Sequence, residues 1–396
     1  MSKMQVLFVD DEPNVLSGLR RMLRHQRSVW DMHFVSGGEA ALQWLVDNPC
    51  NVIVTDMRMP GIDGAELLRR VSELYPNTVR LVLSGQSEHE KILRAVGPAH
   101  QFMSKPCDPQ VLVNTIERAC GLHSQLRDEK LKGLISQLTT LPSLPKIYLE
   151  LVKDLESDET SIERIGKKIG SDVAMTAKVL QLVNSSFFGL PQRVSCPEHA
   201  VSLLGLNVIR PLVLTAKAFS QFENLDMRGF KLQHLIDHSL TVAMLAKRIA
   251  ETESSDAHLV DDAFIAGMVH DVGKLVLAHN LPSEYMEVVA TADRAGLPLH
   301  VVEQQTFNAS HAEVGAHLLG LWGLPNPIVE AVAFHHRPSK SMNPAFSPLT
   351  AVYIADHLSY PRDISDPDFD HEYIESLGLT GKLDNFATLS TGEVVQ

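Results

Sequence analysis

Short apolar runs and amphipathic stretches alternate along the first third of the chain. Met4–Val9, Asn51–Thr55 (NVIVT), Val79–Leu83 (VRLVL) and His100–Met103 read as strands. Between them, Asn14–Arg24, Gly38–Val46, Asp63–Leu74, Glu88–Val96 and Pro109–Ala119 carry helical spacing. Strands that alternate with helices pair in parallel and are covered on both faces, so residues 1–121 are expected to form a doubly wound α/β domain. From Gly133 the strand signals stop. Helical periodicity takes over at Leu144–Glu156, Ile162–Ile169, Ala174–Phe188, Glu198–Leu204, Val208–Phe222, Phe230–Glu251, Asp261–Ala278, Ser283–Ala295, Leu299–Phe307, His311–Trp322, Pro327–His335 and Leu349–Leu358. Pro142, Pro145, Gly189-Leu190-Pro191, Pro282 and Pro325 punctuate these helices. No fixed-period repeat supports a solenoid. Residues 134–360 are therefore expected to be all-α. Residues 122–133, charged with spaced leucines, read as a helical linker that either continues the preceding helix or is simply solvated. The acidic tail over residues 361–396 is weakly apolar and expected to be partly mobile.

The strands of the first domain end on chemically useful side chains. Ligands of parallel sheets bind at the carboxyl ends of the strands, where Asp10, Asp11, Asp56, Ser84 and Lys105 gather. Converging carboxylates repel unless a hard cation sits among them, and Mg2+ takes carboxylates, waters and a phosphoryl oxygen in octahedral geometry. With the charge neutralised, one aspartate can attack a phosphoryl group while a hydroxyl and an ammonium grip its oxygens. Strand-end aspartates also cap helices, but capping alone does not call for this set in this order.

The motifs FVDDEP, VTDMRMPGIDG, LSG and SKP resemble the receiver domain of bacterial two-component response regulators. The resemblance spans residues 1–121 and implies a five-stranded parallel sheet. It further implies Asp56 as phosphoacceptor, Asp10 and Asp11 with Asp56 as Mg2+ ligands, Ser84 as switch hydroxyl, Lys105 as phosphate-sensing lysine and Phe102 as aromatic switch. A sensor histidine kinase is the implied partner. Gly97–His100 departs slightly from the family's Gly-Ala before the fifth strand.

Composition narrows the output. The chain holds 48 acidic residues against 35 basic ones, a formal charge of −13. That balance argues against a binder of phosphate backbones, and no basic recognition helix is present, so no DNA partner is expected. Cys50, Cys107, Cys120 and Cys196 are scattered without a CxxC pair and read as reduced thiols. No stretch approaches an uncharged membrane span, and a strand begins too early for a signal peptide. A cytoplasmic protein without a membrane partner is expected.

The second half contains an ordered set of metal donors: His238, His270-Asp271, His311, His335-His336 and Asp356. Imidazoles with carboxylates suit one or two Fe, Mn or Zn ions. Two metals bridged by an aspartate can activate water against a phosphodiester, and Lys274 could hold substrate phosphate. On a continuous helix His270 and Asp271 point about a third of a turn apart and share a site only at its rim. Gly273 would let the backbone come close. Each donor has a plain account when taken singly. His238 precedes an apolar stripe (Leu240, Ala243, Met244, Lys247) as a core histidine does, His335-His336 suit a helix C-terminus, and Asp356 could be a surface residue. His279 and His317 have no partner at ligand spacing and are expected to be structural.

LPSLPKIYLELVKDL, DVAMTAKVLQLVNSSFFG and EHAVSLLGLNVIRPLVL resemble the HDOD output domain, an HD-related helical module, over Leu138–Ser359. HDVGK at 270–274, HAEVG at 311–315, AFHH at 333–336 and IADHL at 354–358 are similar to the HD superfamily of metal phosphohydrolases and to the HD-GYP cyclic di-GMP phosphodiesterases. That similarity places His238, His270, Asp271, His311, His335, His336 and Asp356 at ligand positions. The GYP tripeptide is missing: Arg337-Pro338-Ser339 follow His336. HDOD domains generally serve as non-enzymatic scaffolds. Two outputs fit: a module binding a signalling protein or nucleotide, with a homodimer allowed, or a metal-dependent phosphohydrolase acting on a nucleotide or cyclic dinucleotide. Phosphorylation is expected to reshape Glu88–Val96, His100–Met103 and Pro109–Ala119 and to act through Leu122–Lys132.

Overall fold

A computed structural model of the chain describes residues 3–84, 99–125, 129–138, 141–143, 151, 154–155, 160–184, 194–206, 209, 219–221, 232–341, 343–359 and 369–391. The helix expected over Glu88–Val96 lies outside them, as do parts of those expected over Leu144–Glu156, Ala174–Phe188 and Val208–Phe222.

The first unit is built on strands β1 (Met4–Val9), β2 (Trp30–Val35), β3 (Val52–Asp56), β4 (Val79–Ser84) and β5 (Gln101–Ser104), all parallel in the order β2-β1-β3-β4-β5. Every residue of β3 is buried, as an unbroken apolar run in the middle of a two-sided sheet requires. The first three helices are α1 (Pro13–Met22), α2 (Gly38–Asp47) and α3 (Gly64–Leu74); α4 (Pro109–Gln125) follows β5. The strand order reverses between β1 and β3, so the residues after those strands flank the crevice where such sheets bind ligands.

The linker is docked. α5 (Glu129–Gln137) buries Leu131 and Ile135, and Arg80 and His100 at the opposite end of the sheet bind the Ser136 carbonyl, His100 Nε2 at 3.0 Å. Within the expected linker, Leu131 is buried.

Among the described residues the second unit is helical, with one exception. β6 (Leu141–Ser143) pairs in parallel with β7 (Phe219–Gln221), so residues 219–221 of the helix expected over Val208–Phe222 are strand. Its helices are α6 (Ile162–Gly170), α7 (Val173–Val183), α8 (Pro197–Leu204), α9 (Leu232–Glu253), α10 (Ala257–Val269), α11 (Val272–Asn280), α12 (Pro282–Ala295), α13 (Leu299–Phe307), α14 (His311–Leu321), α15 (Asn326–Phe334) and α16 (Pro348–Ser359). α9 packs along α10 and α16, while α14 lies between α11 and α15. α14 is buried on nearly every side, as its apolar sequence demands of a central helix.

Part of the acidic tail is folded. α17 (His371–Ser376) and α18 (Leu383–Thr391) fold back, burying Phe369, Tyr373, Ile374 and Phe386 in the core. Leu383 and Phe386, three residues apart on α18, are both buried. Among the described residues no helix is long and apolar enough to cross a membrane.

Candidate functional site

At the carboxyl end of the sheet the structure gathers Asp10, Asp56 and Lys105. Lys105 Nζ donates to Asp10 Oδ2 at 2.7 Å and to Asp56 Oδ1. The backbone N–H of Arg58 donates to Asp56 Oδ2 at 2.5 Å, and that of Glu12 to Asp10 Oδ1 at 2.9 Å. Burial pushes the Asp56 carboxyl up, against the pull of Lys105. Burial opposes the Lys105 charge, but its bonds to Asp10 and Asp56 win and raise it. Asp11 is half-buried at the same strand end. Three carboxylates with one lysine between two of them form a donor set suited to a hard cation such as Mg2+. Ser84 ends β4 in register with Ser104; its side chain lies outside the described residues. Phe102 is buried, its ring inward. The loop after Asp56 closes tightly because α3 starts with Gly64: a methyl there would sit on the Asp56 carbonyl.

A second cluster forms in the helical unit. The helix expected over Asp261–Ala278 is broken at His270-Asp271, where Asp271 leaves helical geometry (φ −97°, ψ 10°) between α10 and α11. The pair is therefore not confined to the rim. Both side chains are buried in one site. His238 on α9, His311 at the start of α14, His335 and His336 after α15, and Asp356 on α16 converge on it. The donor atoms fall into three overlapping groups, each within 4.8 Å: His311, His335 and His336; His238, His270 and Asp356; His270, Asp271 and His335. Asp271 Oδ1 lies 3.2 Å from His311 Nε2, and Asp356 Oδ1 lies 3.0 Å from His238 Nε2.

The rings are held from behind. His270 Nδ1 donates to the Gly267 carbonyl at 2.7 Å, His335 Nδ1 to the Val332 carbonyl at 2.8 Å, and His311 Nδ1 to Glu303 Oε2 at 2.6 Å. A carbonyl only accepts, so Nδ1 carries a proton and the Nε2 atoms of His270 and His335 face the cluster. The buried Nε2 atoms of His270 and His335 and Oδ1 of Asp271 make no hydrogen bond. Buried polar atoms left this way suit a metal ion, and anchored imidazoles are how proteins orient its ligands.

Charge follows the same geometry. Burial opposes ionisation of Asp271, but His270 and Lys274 hold it well below the carboxylate range. Burial also works against charging His311, yet Glu303 raises it to about 8. His335 is pushed down to about 3 by burial and its charged neighbours. Lys274, expected to meet substrate phosphate, has its Nζ 2.6 Å from Asp271 Oδ2. A cavity of about 310 Å3 reaches the cluster past Lys274, His300, Arg337 and Tyr353.

A profile of the HDOD domain matches residues 141–338, half of the chain, and one of the response regulator receiver domain matches residues 6–117. The chain belongs to the HDOD family. It is a response regulator in which a receiver domain precedes an HDOD output domain. An uncharacterized protein of Treponema pallidum is 27% identical over 217 residues, 54% of this chain and 42% of the relative. The hydrogenase transcriptional regulatory protein HoxA of Cupriavidus necator is 39% identical over 116 residues, 29% of this chain and 23% of HoxA. The chain thus spans less than half the length of these two relatives. The MmoQ response regulator of Methylococcus capsulatus matches at a TM-score of 0.50 and 23% identity, covering 63% of this chain and 98% of its own. A Campylobacter jejuni virulence factor matches at 0.50 and 21%, covering 67% and 98%. At these identities the likeness is one of fold.

The receiver implies Mg2+ and a phosphodonor such as a histidine kinase. In the HDOD domain the structure brings all seven expected donors together. It also adds Glu303, which binds His311 through both its Nδ1 and its backbone N–H (2.7 Å) and accepts the Tyr285 hydroxyl at 2.9 Å. His300 stacks on His336 with centroids 4.2 Å apart. No sequence signal marks Glu303, a lone glutamate in α13 that the fold turns inward beside Val302 and Phe307.

Proposed function

We propose that phosphorylation of Asp56 controls a metal centre in the HDOD domain, and that this centre binds a phosphate-bearing ligand. The observation that carries the reading is the pair His270 and His335, each pinned through Nδ1 with an Nε2 that makes no hydrogen bond and lies within 4 Å of Asp271. His238, His270, Asp271, His311, His335, His336 and Asp356 would hold one or two Fe, Mn or Zn ions. Such an ion supplies Lewis acidity and lowers the pKa of a bound water. The chain's own residues do the rest. Glu303 and the two carbonyls fix the rings, Asp271 links the donor groups, and Arg337 at the cavity mouth offers a cation to an incoming anion. In the receiver, Asp10, Asp11 and Asp56 would hold Mg2+, Asp56 takes the phosphoryl group, and Lys105 and Ser84 bind its oxygens.

A second reading, hydrolysis of the ligand, is favoured by the open path from solvent to the donors. The missing GYP loop weighs against a cyclic dinucleotide as that substrate.

Elemental analysis of the purified chain and of Asp271→Ala tests the centre. One or two Fe, Mn or Zn atoms in the parent, lost in the variant while receiver phosphorylation persists, are expected. A metal-free parent after loading with each ion overturns the reading. Turnover of a generic aryl phosphodiester by the loaded parent separates hydrolysis from binding. Asp56→Ala should abolish phosphoryl uptake from a small-molecule donor, and labelling at the parent's level would remove Asp56 from its role.

A further inference from the structure

Two joints brace the helices around the metal centre from outside residues 141–338, the span of the HDOD match. One is with the receiver. Gln101, the first residue of β5, donates to the Leu321 carbonyl at 2.9 Å, and Arg118 on α4 donates to the Leu324 carbonyl. This seam lies at the far end of the helix that begins with His311. The other joint is with the C-terminal segment, and it reaches the donors more directly.

Asp370, just before α17, bonds to three parts of the chain. Its N–H donates to the Tyr353 hydroxyl at 2.5 Å, its Oδ2 accepts the Ser339 hydroxyl, and its Oδ1 accepts the Tyr373 N–H at 3.0 Å. The last of these caps α17. The first two lead to the centre. Ser339 stands three residues after His336, and Tyr353 three before Asp356, nearly one turn along α16. Tyr353 also walls the cavity that reaches the donors. Packing reinforces the link: the Tyr353 and Phe369 rings stack with centroids 5.2 Å apart, and Thr350 Oγ1 lies 2.7 Å from the Tyr373 hydroxyl. A last tie runs to α9, the helix of His238. Lys382 Nζ is 2.8 Å from Glu253 Oε2, and Arg248 donates to the Leu389 carbonyl at 2.9 Å.

A cap needs only Oδ1. The other two bonds join the stretch that holds His335 and His336 to the helix that holds Asp356. We propose that Asp370 is a positioning residue of the metal centre, fixing the turn after His336 against α16, with residues 369–391 as the strap that keeps it there. This inference rests on the metal-centre reading. Donors held in place before an ion arrives lose less freedom on binding it, so the strap contributes to affinity. Its release would loosen the centre without removing a ligand.

Chelator-competition titration of the full chain with Zn2+ tests this. Asp370→Ala and Ser339→Ala should each weaken Zn2+ about tenfold, the low end for groups that hold ligands from behind. Asp370→Asn keeps a side chain that can pair with the Ser339 hydroxyl and should bind as the parent does. Ser339→Ala leaves the α17 cap intact, so an effect there is not one of capping. Hydrogen exchange on the metal-free proteins is the second readout: amides of 335–341 and 350–357 should exchange faster in both alanine variants. Parental Zn2+ affinity in both, or faster exchange only within 371–376, would reduce Asp370 to a helix cap and overturn the inference. A parent that takes up no metal sinks the centre and this role with it; faster exchange in the variants would then show that the strap stands and the ion was misassigned.

Discussion

An imidazole serves a metal only when the proton on its other nitrogen has a home, and at His311 that home is Glu303. The carboxylate is fully buried and receives three donors, from Tyr285 and twice from His311. Glu303→Gln keeps an oxygen for the ring but removes the charge. We expect metal affinity to fall about 10–100-fold, the usual cost of such an outer partner. A chelator-competition titration would read this, with circular dichroism unchanged; equal affinity in parent and variant would make Glu303 a packing residue. The seven donors were legible in the sequence because their order and spacing are specific as a set. Glu303 was not, because a lone glutamate in a helix reads as a surface residue until the fold turns it inward.

Between residues and whole molecule, the break at His270-Asp271 organises the centre. Apolar periodicity runs unbroken across Asp261–Ala278, so the pattern reads as one helix. The interruption arises from packing: α11 approaches α14 so closely that a methyl on Gly273 would overlap the His311 carbonyl. Gly273→Ala should therefore push α11 from α14 and cost about 1–3 kcal/mol or more. The same displacement moves Asp271 from His311, so metal content should fall along with the melting temperature. A variant that melts early but keeps its metal would separate the packing from the site. The short β6–β7 ladder was illegible for a related reason, since its six residues carry no alternation and pair only because the helices bring them together.

Across the whole molecule, the seam also buries a lysine. Lys178 on α7 is 2% exposed and lies 4.6 Å from the Trp322 ring, which follows α14. Burial pushes its ammonium down to about 7 from an ordinary 10.5. Over that window the unfolded chain binds more protons than the folded one, so this group makes stability rise as pH increases from about 7 toward 10.5. Lys178→Met should remove that contribution. Melting temperatures at neutral and mildly alkaline pH should climb more in the parent than in the variant, and parallel slopes would show that the lysine is charged in the fold.

α14 begins at the metal donors and ends at the receiver, about 16 Å later at the usual rise per residue. Regulators are often pictured as interchangeable modules joined by a tether. Here the joint is a helix in the middle of the second module, met by an amide from the last strand and a guanidinium from the helix after it. A receiver grafted in from another regulator at the tether would keep the tether and lose the joint. Leu321 and Leu324 would be left without their donors unless the newcomer carried its own counterparts of Gln101 and Arg118. The ancestry of this fusion is therefore better traced through those two side chains than through the segment that connects the halves.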